Sequence, residues 1–127
     1  MAGTITAVHA RVLIIDDNID FRAALRQLLE RNGFAVIAEA GDAATGVREA
    51  TTQRPDLVIV DVQLPDGDGF QVAELLSGLE LALGVILTSS LDGADFGALV
   101  TTSSALGFIP KAELSASAIE ALLAATR

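Results

Sequence analysis

Leu57-Val-Ile-Val60 runs directly into Asp61, and after Val62 comes the loop Gln63-Leu-Pro-Asp-Gly-Asp-Gly69. Four consecutive apolar residues, three of them β-branched, follow the break at Pro55-Asp56. That is the pattern of a strand buried on both faces, as in a parallel sheet. The loop is built from turn-forming residues. Asp61 therefore sits at the carboxyl end of a buried strand.

The same pattern recurs on both sides. Val12-Leu-Ile-Ile15 stops at Asp16-Asp17. Asn18 or Asp20 can cap a helix that carries Phe21, Ala24, Leu25, Leu28 and Leu29 at helical spacing, and Asn32-Gly33 closes it. Phe34-Ala-Val-Ile37 reads as a second strand. Asp42 to Gln53 reads as a helix with Ala43, Val47 and Ala50 inward. Beyond the loop, Phe70 to Leu79 is a third helix, and Gly84-Val-Ile-Leu87 is a strand ending at Thr88-Ser89-Ser90. Asp92 to about Ala105 is a weaker helix, because Gly and Thr lower its propensity. Gly107-Phe-Ile109 is a short strand before Pro110-Lys111, and Ser115 or Glu113 opens a last helix running to the C-terminus. Strands alternating with helices make a (βα)5 domain of the α/β class, a doubly wound five-stranded parallel sheet covered on both faces. Periodicity alone does not give the strand order.

Composition narrows the function. The 127 residues suffice for one domain, and 51% are hydrophobic. Eight Lys and Arg against 17 Asp and Glu give a net charge of −9. This argues against direct nucleic-acid binding and against docking on an anionic membrane. The absence of cysteine and the single His9 exclude disulfides, thiolate chemistry and multi-histidine metal sites. No apolar run approaches the roughly 20 residues of a spanning helix, and residues 1–10 resemble no secretory signal, so a cytoplasmic location is expected.

In an open parallel sheet, ligands bind beyond the carboxyl ends of the strands. Those ends carry Asp16 and Asp17, Asp61, Thr88 and Ser89, and Lys111. Two like charges about 4 Å apart cost around 4 kcal/mol at an effective dielectric near 20, so three carboxylates at one edge need a cation or a raised pKa. Mg²⁺ or Mn²⁺ suits oxygen ligands and phosphate. Lys111 supplies a point charge, Thr88 a hydroxyl donor, and an aspartate can accept a phosphoryl group.

The ordered set Asp16-Asp17, Asp61 with Leu64-Pro65 and Asp68-Gly69, Thr88 and Lys111 resembles the receiver domain of bacterial two-component response regulators. The resemblance runs from Arg11 to the last helix, with residues 1–10 as an N-terminal extension and 11–127 as the receiver domain. It implies a flavodoxin-like strand order 2-1-3-4-5. It further implies Asp61 as phosphoacceptor, Thr88 and Lys111 as phosphoryl ligands, and Mg²⁺ (or Mn²⁺) held by Asp16, Asp17, Asp61 and the backbone carbonyl of Gln63. Asp16 would act mainly through a metal-bound water. Thr88 and Phe108 are implied as a switch pair that alters the surface of helix 4, strand 5 and helix 5. The implied partners are a histidine kinase or histidine phosphotransfer protein, a downstream protein target or output domain, and a second copy in a homodimer formed on phosphorylation.

Departures matter as well. The family commonly has Pro after the lysine; here Pro110 precedes Lys111 and Ala112 follows. The resemblance still implies a cis bond after Lys111, now a costly non-proline one. Phe108 lacks the hydroxyl of the commoner Tyr. Single residues have plain readings: Asp16-Asp17 as a helix-capping pair, Asp61 and Pro65 as turn residues, Phe108 as core, Lys111 as surface. Asp66-Gly-Asp-Gly69 fails as a calcium loop, since Leu64 and Leu75 stand at the first and twelfth ligand positions. An aspartate-dependent phosphatase wants a second Asp two positions after the nucleophile, and Asp16-Asp17-Asn18 does not supply it. A P-loop is missing, and without Trp or Tyr a flavin lacks a stacking partner. A phosphorylation-independent receiver is the remaining alternative. The short tail after the last helix favours a stand-alone form over a fragment of a regulator with a helix-turn-helix output domain.

Overall fold

Every residue of the strand Leu57–Asp61 is buried. The computed structural model describes residues 10–79, 81–90 and 97–125. In chain order the elements are β1 (Arg11–Ile15), α1 (Ile19–Arg31), β2 (Ala35–Ala40), α2 (Ala43–Gln53), β3 (Leu57–Asp61), β4 (Gln63–Leu64) and β5 (Gly67–Asp68). There follow α3 (Gly69–Gly78), β6 (Gly84–Ser89), α4 (Gly97–Thr102), β7 (Gly107–Pro110), a 3-10 turn (Lys111–Glu113) and α5 (Ala116–Ala124). The sheet has the order β2-β1-β3-β6-β7, with all pairs parallel. Setting aside the small β4–β5 hairpin, this is the expected 2-1-3-4-5 order of a flavodoxin-like fold.

Side chains alternate across the pleat, so each central strand feeds two cores. Val12, Ile14, Leu57, Ile59 and Ile86 face Leu25 and Leu29 of α1 and Ile119 and Leu123 of α5. Leu13, Ile15, Val58, Val60 and Leu87 face Ala50 of α2 and Val72, Ala73 and Leu76 of α3. Four-residue apolar runs without polar alternation follow directly from this double burial.

The boundaries differ where pairing or capping outweighs hydropathy. β2 starts one residue later than hydropathy suggests and runs on to Ala40, because pairing with β1 continues to Ile15↔Ala40 and the Asp16 N–H donates to the Ala40 carbonyl (2.9 Å). Ala24 is exposed despite its apolar spacing. The loop after β3 folds back as the antiparallel β4–β5 pair. The expected start of the fourth helix at Asp92 lies outside the described residues, and α4 ends at Thr102 rather than near Ala105. Ser115, not Glu113, caps α5 by accepting from the Ala118 N–H (3.0 Å). Asn18 caps α1, accepting from the Phe21 N–H (3.0 Å).

An ionic strut ties α1 to the edge strand. Glu39 accepts from Arg22 Nε (3.0 Å) and from Arg26 Nη1 (2.7 Å). Burial pushes the Glu39 carboxyl up, but the two guanidinium groups outweigh it and hold it below its ordinary value of 4.5. A lowered carboxyl contributes stability that is fully present above that value and is lost as pH falls through the lowered one. Glu39→Gln therefore unfolds with about 1 kcal/mol less free energy at pH 7. In urea titrations the gap from wild type closes as the pH drops below 4.5; a gap independent of pH would contradict the strut.

Candidate functional site

Four polar residues are buried among the described residues, and all stand at one edge of the sheet: Asp16, Asp61, Thr88 and Ser89. Register explains the gathering. Asp16 directly follows β1, Asp61 ends β3 and lies opposite Thr88 of β6, and Thr88 lies opposite Ile109 of β7. Lys111 comes one residue after β7. Parallel neighbours bring their carboxyl ends to the same side, so residues up to 95 positions apart (Asp16 to Lys111) meet.

Lys111 Nζ stands 2.8 Å from Asp16 Oδ2 and 3.0 Å from Asp61 Oδ2. The contact with Asp16 is an ion pair without hydrogen-bond alignment, leaving Asp16 Oδ2 buried and lacking an aligned donor. Asp61 Oδ1 accepts from the Gln63 N–H (2.9 Å), and Asp16 Oδ1 from the Asn18 N–H (2.8 Å). Carboxylate oxygens of Asp16, Asp17 and Asp61 all lie within 4.8 Å of one another. Three carboxylates against one ammonium leave two negative charges uncompensated. Burial, and then the neighbouring Asp16 charge, push the Asp61 carboxyl above its ordinary value, against the Gln63 N–H and Lys111. Burial works against the Lys111 ammonium, but the two carboxylates prevail and hold its pKa above 10.5. Thr88 Oγ1 is buried with no hydrogen-bond partner.

An open cleft of about 360 Å³ over these groups is lined by Asp17, Asn18, Asp61, Gln63, Ser90 and Lys111, with Leu64 and Pro65 at its side. Its walls are fixed from several directions. A Cβ on Gly69 would fall 2.7 Å from the Asp61 carbonyl oxygen, so only glycine lets α3 start this close to the acidic strand end. Asp66 accepts from the Ala43 and Ala44 N–H groups (2.7 and 3.1 Å), pinning the hairpin that carries Gln63 to the start of α2. Arg22 Nη1 donates to the Asp16 carbonyl.

The structure thus brings Asp16, Asp17, Asp61, Gln63, Thr88 and Lys111 together. Phe108 lies on β7 beside Leu87, half-buried against the α2–α3 core. The expectation of a cis bond after Lys111 is corrected: no peptide bond among the described residues is cis. With Ala112 in place of proline, trans is favoured by about 3 kcal/mol, and the chain enters its 3-10 turn in that form. Sequence reading missed four supports: the close approach at Gly69, Arg22, Asp66, and Phe21, whose ring lies under Lys111 with Nζ 4.3 Å from its centroid. Phe21 is one residue of a helical apolar series, and nothing in that spacing separates it from the core-facing leucines.

The sequence pattern of the response regulator receiver domain matches residues 12–124. The chain belongs to the response regulator receiver family. It is 36% identical over 106 residues to the regulator BvgA of Bordetella pertussis, covering 84% of this chain and 51% of that protein. It is 34% identical over 113 residues to the DNA-binding transcriptional activator EvgA of Escherichia coli K12, covering 89% of this chain and 55% of that protein. The chain therefore spans about half the length of the curated relatives it matches. A crystal structure of a two-component response regulator of the LuxR family from Aurantimonas superposes with a TM-score of 0.84 at 32% identity, covering 94% of this chain and 88% of that one. This receiver thus belongs to a family of two-component signalling regulators. No helix among its described residues is long and apolar enough to cross a membrane.

Proposed function

We propose that this receiver accepts a phosphoryl group on Asp61 from a histidine kinase or histidine phosphotransfer protein, in a reaction that requires Mg²⁺ or Mn²⁺. The observation that carries the reading is the buried Asp61 carboxylate, paired with Lys111 and set within 4.8 Å of the Asp16 and Asp17 carboxylates. The cation fits: two uncompensated negative charges face it, and the donors are oxygen atoms. Asp16, Asp17, Asp61 and the Gln63 carbonyl would hold it, and once bound it would neutralise charge on the phosphoryl oxygens.

The protein's own residues do the rest. A carboxylate oxygen of Asp61 attacks phosphorus, and the bond to the donor's leaving atom breaks with its electron pair. The Gln63 N–H donates to Asp61 Oδ1 and so fixes the orientation of the carboxylate. Lys111 moves from carboxylate to phosphoryl oxygen, still carrying its proton. Thr88, whose hydroxyl lacks a partner, donates to a second phosphoryl oxygen. Drawing Thr88 inward would couple to Phe108 and alter the α4–β7–α5 surface, there to meet a downstream target, an output domain or a second copy. The receiver, running from residue 11 onward after a short extension, assists its own phosphorylation and dephosphorylation rather than turning over a separate substrate. It works in the cytoplasm without contacting nucleic acid or membrane directly.

The test is intact mass after incubation with Mg²⁺ and acetyl phosphate. One phosphoryl adduct is expected, none in excess chelator, and borohydride reduction should mark residue 61. No adduct, together with no binding of beryllofluoride, would leave a phosphorylation-independent interaction module.

A further inference from the structure

We propose that Phe21 is a positioning residue for phosphoryl transfer, holding the Lys111 ammonium over the gap between Asp16 and Asp61. The inference rests on the reading of Asp61 as phosphoacceptor.

An ammonium has three N–H directions on a flexible four-carbon stem. At Lys111, Nζ stands against two carboxylates, 2.8 Å from Asp16 Oδ2 and 3.0 Å from Asp61 Oδ2. The remaining side faces the Phe21 ring, 4.3 Å from Nζ to the centroid. The lysine side chain is only 17% exposed, so the ring takes the place of solvent on that side. An aromatic face attracts a cation without offering a hydrogen-bond acceptor. It therefore holds the charge in place yet leaves the N–H groups free to turn from carboxylate to phosphoryl oxygen. A polar side chain here would compete for those protons. A small one would admit water and release the stem.

Phe21 itself is held firmly. It lies in the first turn of α1, its N–H is bound by the Asn18 cap, and its side chain packs on the α1–α5 core. The next residue, Arg22, grips the Asp16 carbonyl. The first turn of α1 thus fixes the ring relative to Asp16, and the ring fixes the ammonium relative to both carboxylates.

The experiment uses the full chain with Phe21→Leu and Phe21→Tyr, and Phe21→Met as a second apolar variant. Acetyl phosphate with saturating Mg²⁺ gives the rate of adduct formation, Mn²⁺ binding followed by electron paramagnetic resonance gives cation affinity, and NMR gives the Lys111 ε-CH₂ shift. In wild type the ε protons should be moved upfield by the ring. In the Leu and Met variants that displacement should vanish and the adduct form about fivefold more slowly, with Mn²⁺ affinity changed less than twofold. Tyr, which keeps the aromatic face, should restore both shift and rate. Unchanged rates in the apolar variants despite loss of the shift would overturn the inference alone. So would an equal slowing in Tyr, or Mn²⁺ affinity falling in step with rate, which marks simple collapse of the edge. A wild type that takes no phosphoryl group would overturn the underlying reading, and the inference with it.

Discussion

Lys111→Met unfolds with about 2 kcal/mol less free energy than wild type at pH 7.5 without divalent cation, and accepts a phosphoryl group about a hundredfold more slowly. Removing one partner of a buried ion pair strands the other. Here one ammonium serves two carboxylates, Asp16 with its side chain 1% exposed and Asp61 at 8%. The cost is smaller than that of a fully stranded buried charge because the Lys111 side chain is 17% exposed and water screens the site. The pH dependence follows from the direction of the shifts. The Lys111 pKa is raised, so its contribution is fully present below its ordinary 10.5 and lost only as pH climbs through the raised value. The wild-type pairing is therefore intact across the neutral range. In the variant Asp61, whose carboxyl is already raised by burial, sheds its charge by taking up a proton, so the deficit shrinks as the pH is lowered. Mg²⁺ replaces the missing positive charge, and the variant should gain more stability from it than wild type does. Urea titration followed by circular dichroism reads this, since the chain has neither Trp nor Tyr for fluorescence. Equal stabilities at pH 7.5 would mean that Asp16 and Asp61 do not depend on the ammonium.

Much of the fold was legible because burial on both faces leaves an unmistakable mark. Val12 to Ile15, Leu57 to Val60 and Gly84 to Leu87 are central strands, and each reads as an uninterrupted apolar run. The edge strand β2 was less legible. One of its edges faces no neighbouring strand and it carries the charged Glu39, so its true limits come from pairing with β1 and from the arginines on α1. The site was legible in its charged members for a related reason. An Asp that ends an apolar strand can be a cap or a turn residue on its own, but two such ends, after β1 and in β3, meet at one edge once the sheet is parallel. The supports were not legible, since each acts through a neutral or ordinary feature. Gly69 looks like any loop glycine until the Asp61 carbonyl is placed against it. Asp66 looks like a turn residue until α2 offers its N–H groups. Phe21 looks like core until Lys111 arrives from the far end of the chain.

Asp61→Asn should take no phosphoryl adduct under conditions that modify wild type, and should be the more stable protein at pH 7.5 in the absence of divalent cation. The first outcome follows from chemistry, because an amide is not a nucleophile toward phosphorus in this reaction. The second follows from the direction of the Asp61 shift. Burial, and after it the Asp16 charge, raise this carboxyl above its ordinary 3.8 in the folded state. A raised carboxyl favours folding below its unfolded value, and that advantage is lost as pH rises through the raised one. Ionised Asp61 is then a burden on the fold, opposite in sign to Glu39. Asparagine keeps the shape and an acceptor for the Gln63 N–H, removes one charge from the edge, and leaves Lys111 paired with Asp16 alone. The urea midpoint of the variant should exceed that of wild type at pH 7.5, and the two should converge as pH approaches 3.8. Added Mg²⁺ should raise the wild-type midpoint and leave the variant nearly unmoved, since a ligand at free concentration L that binds only the folded state stabilises by RT ln(1 + L/Kd) and the variant has lost one of its carboxylate ligands. An adduct on the variant would move the acceptor to Asp16 or Asp17. A variant less stable than wild type at pH 7.5 would mean that pairing with Lys111 outweighs burial, and that Asp61 is held by the fold for its structure as well as its chemistry.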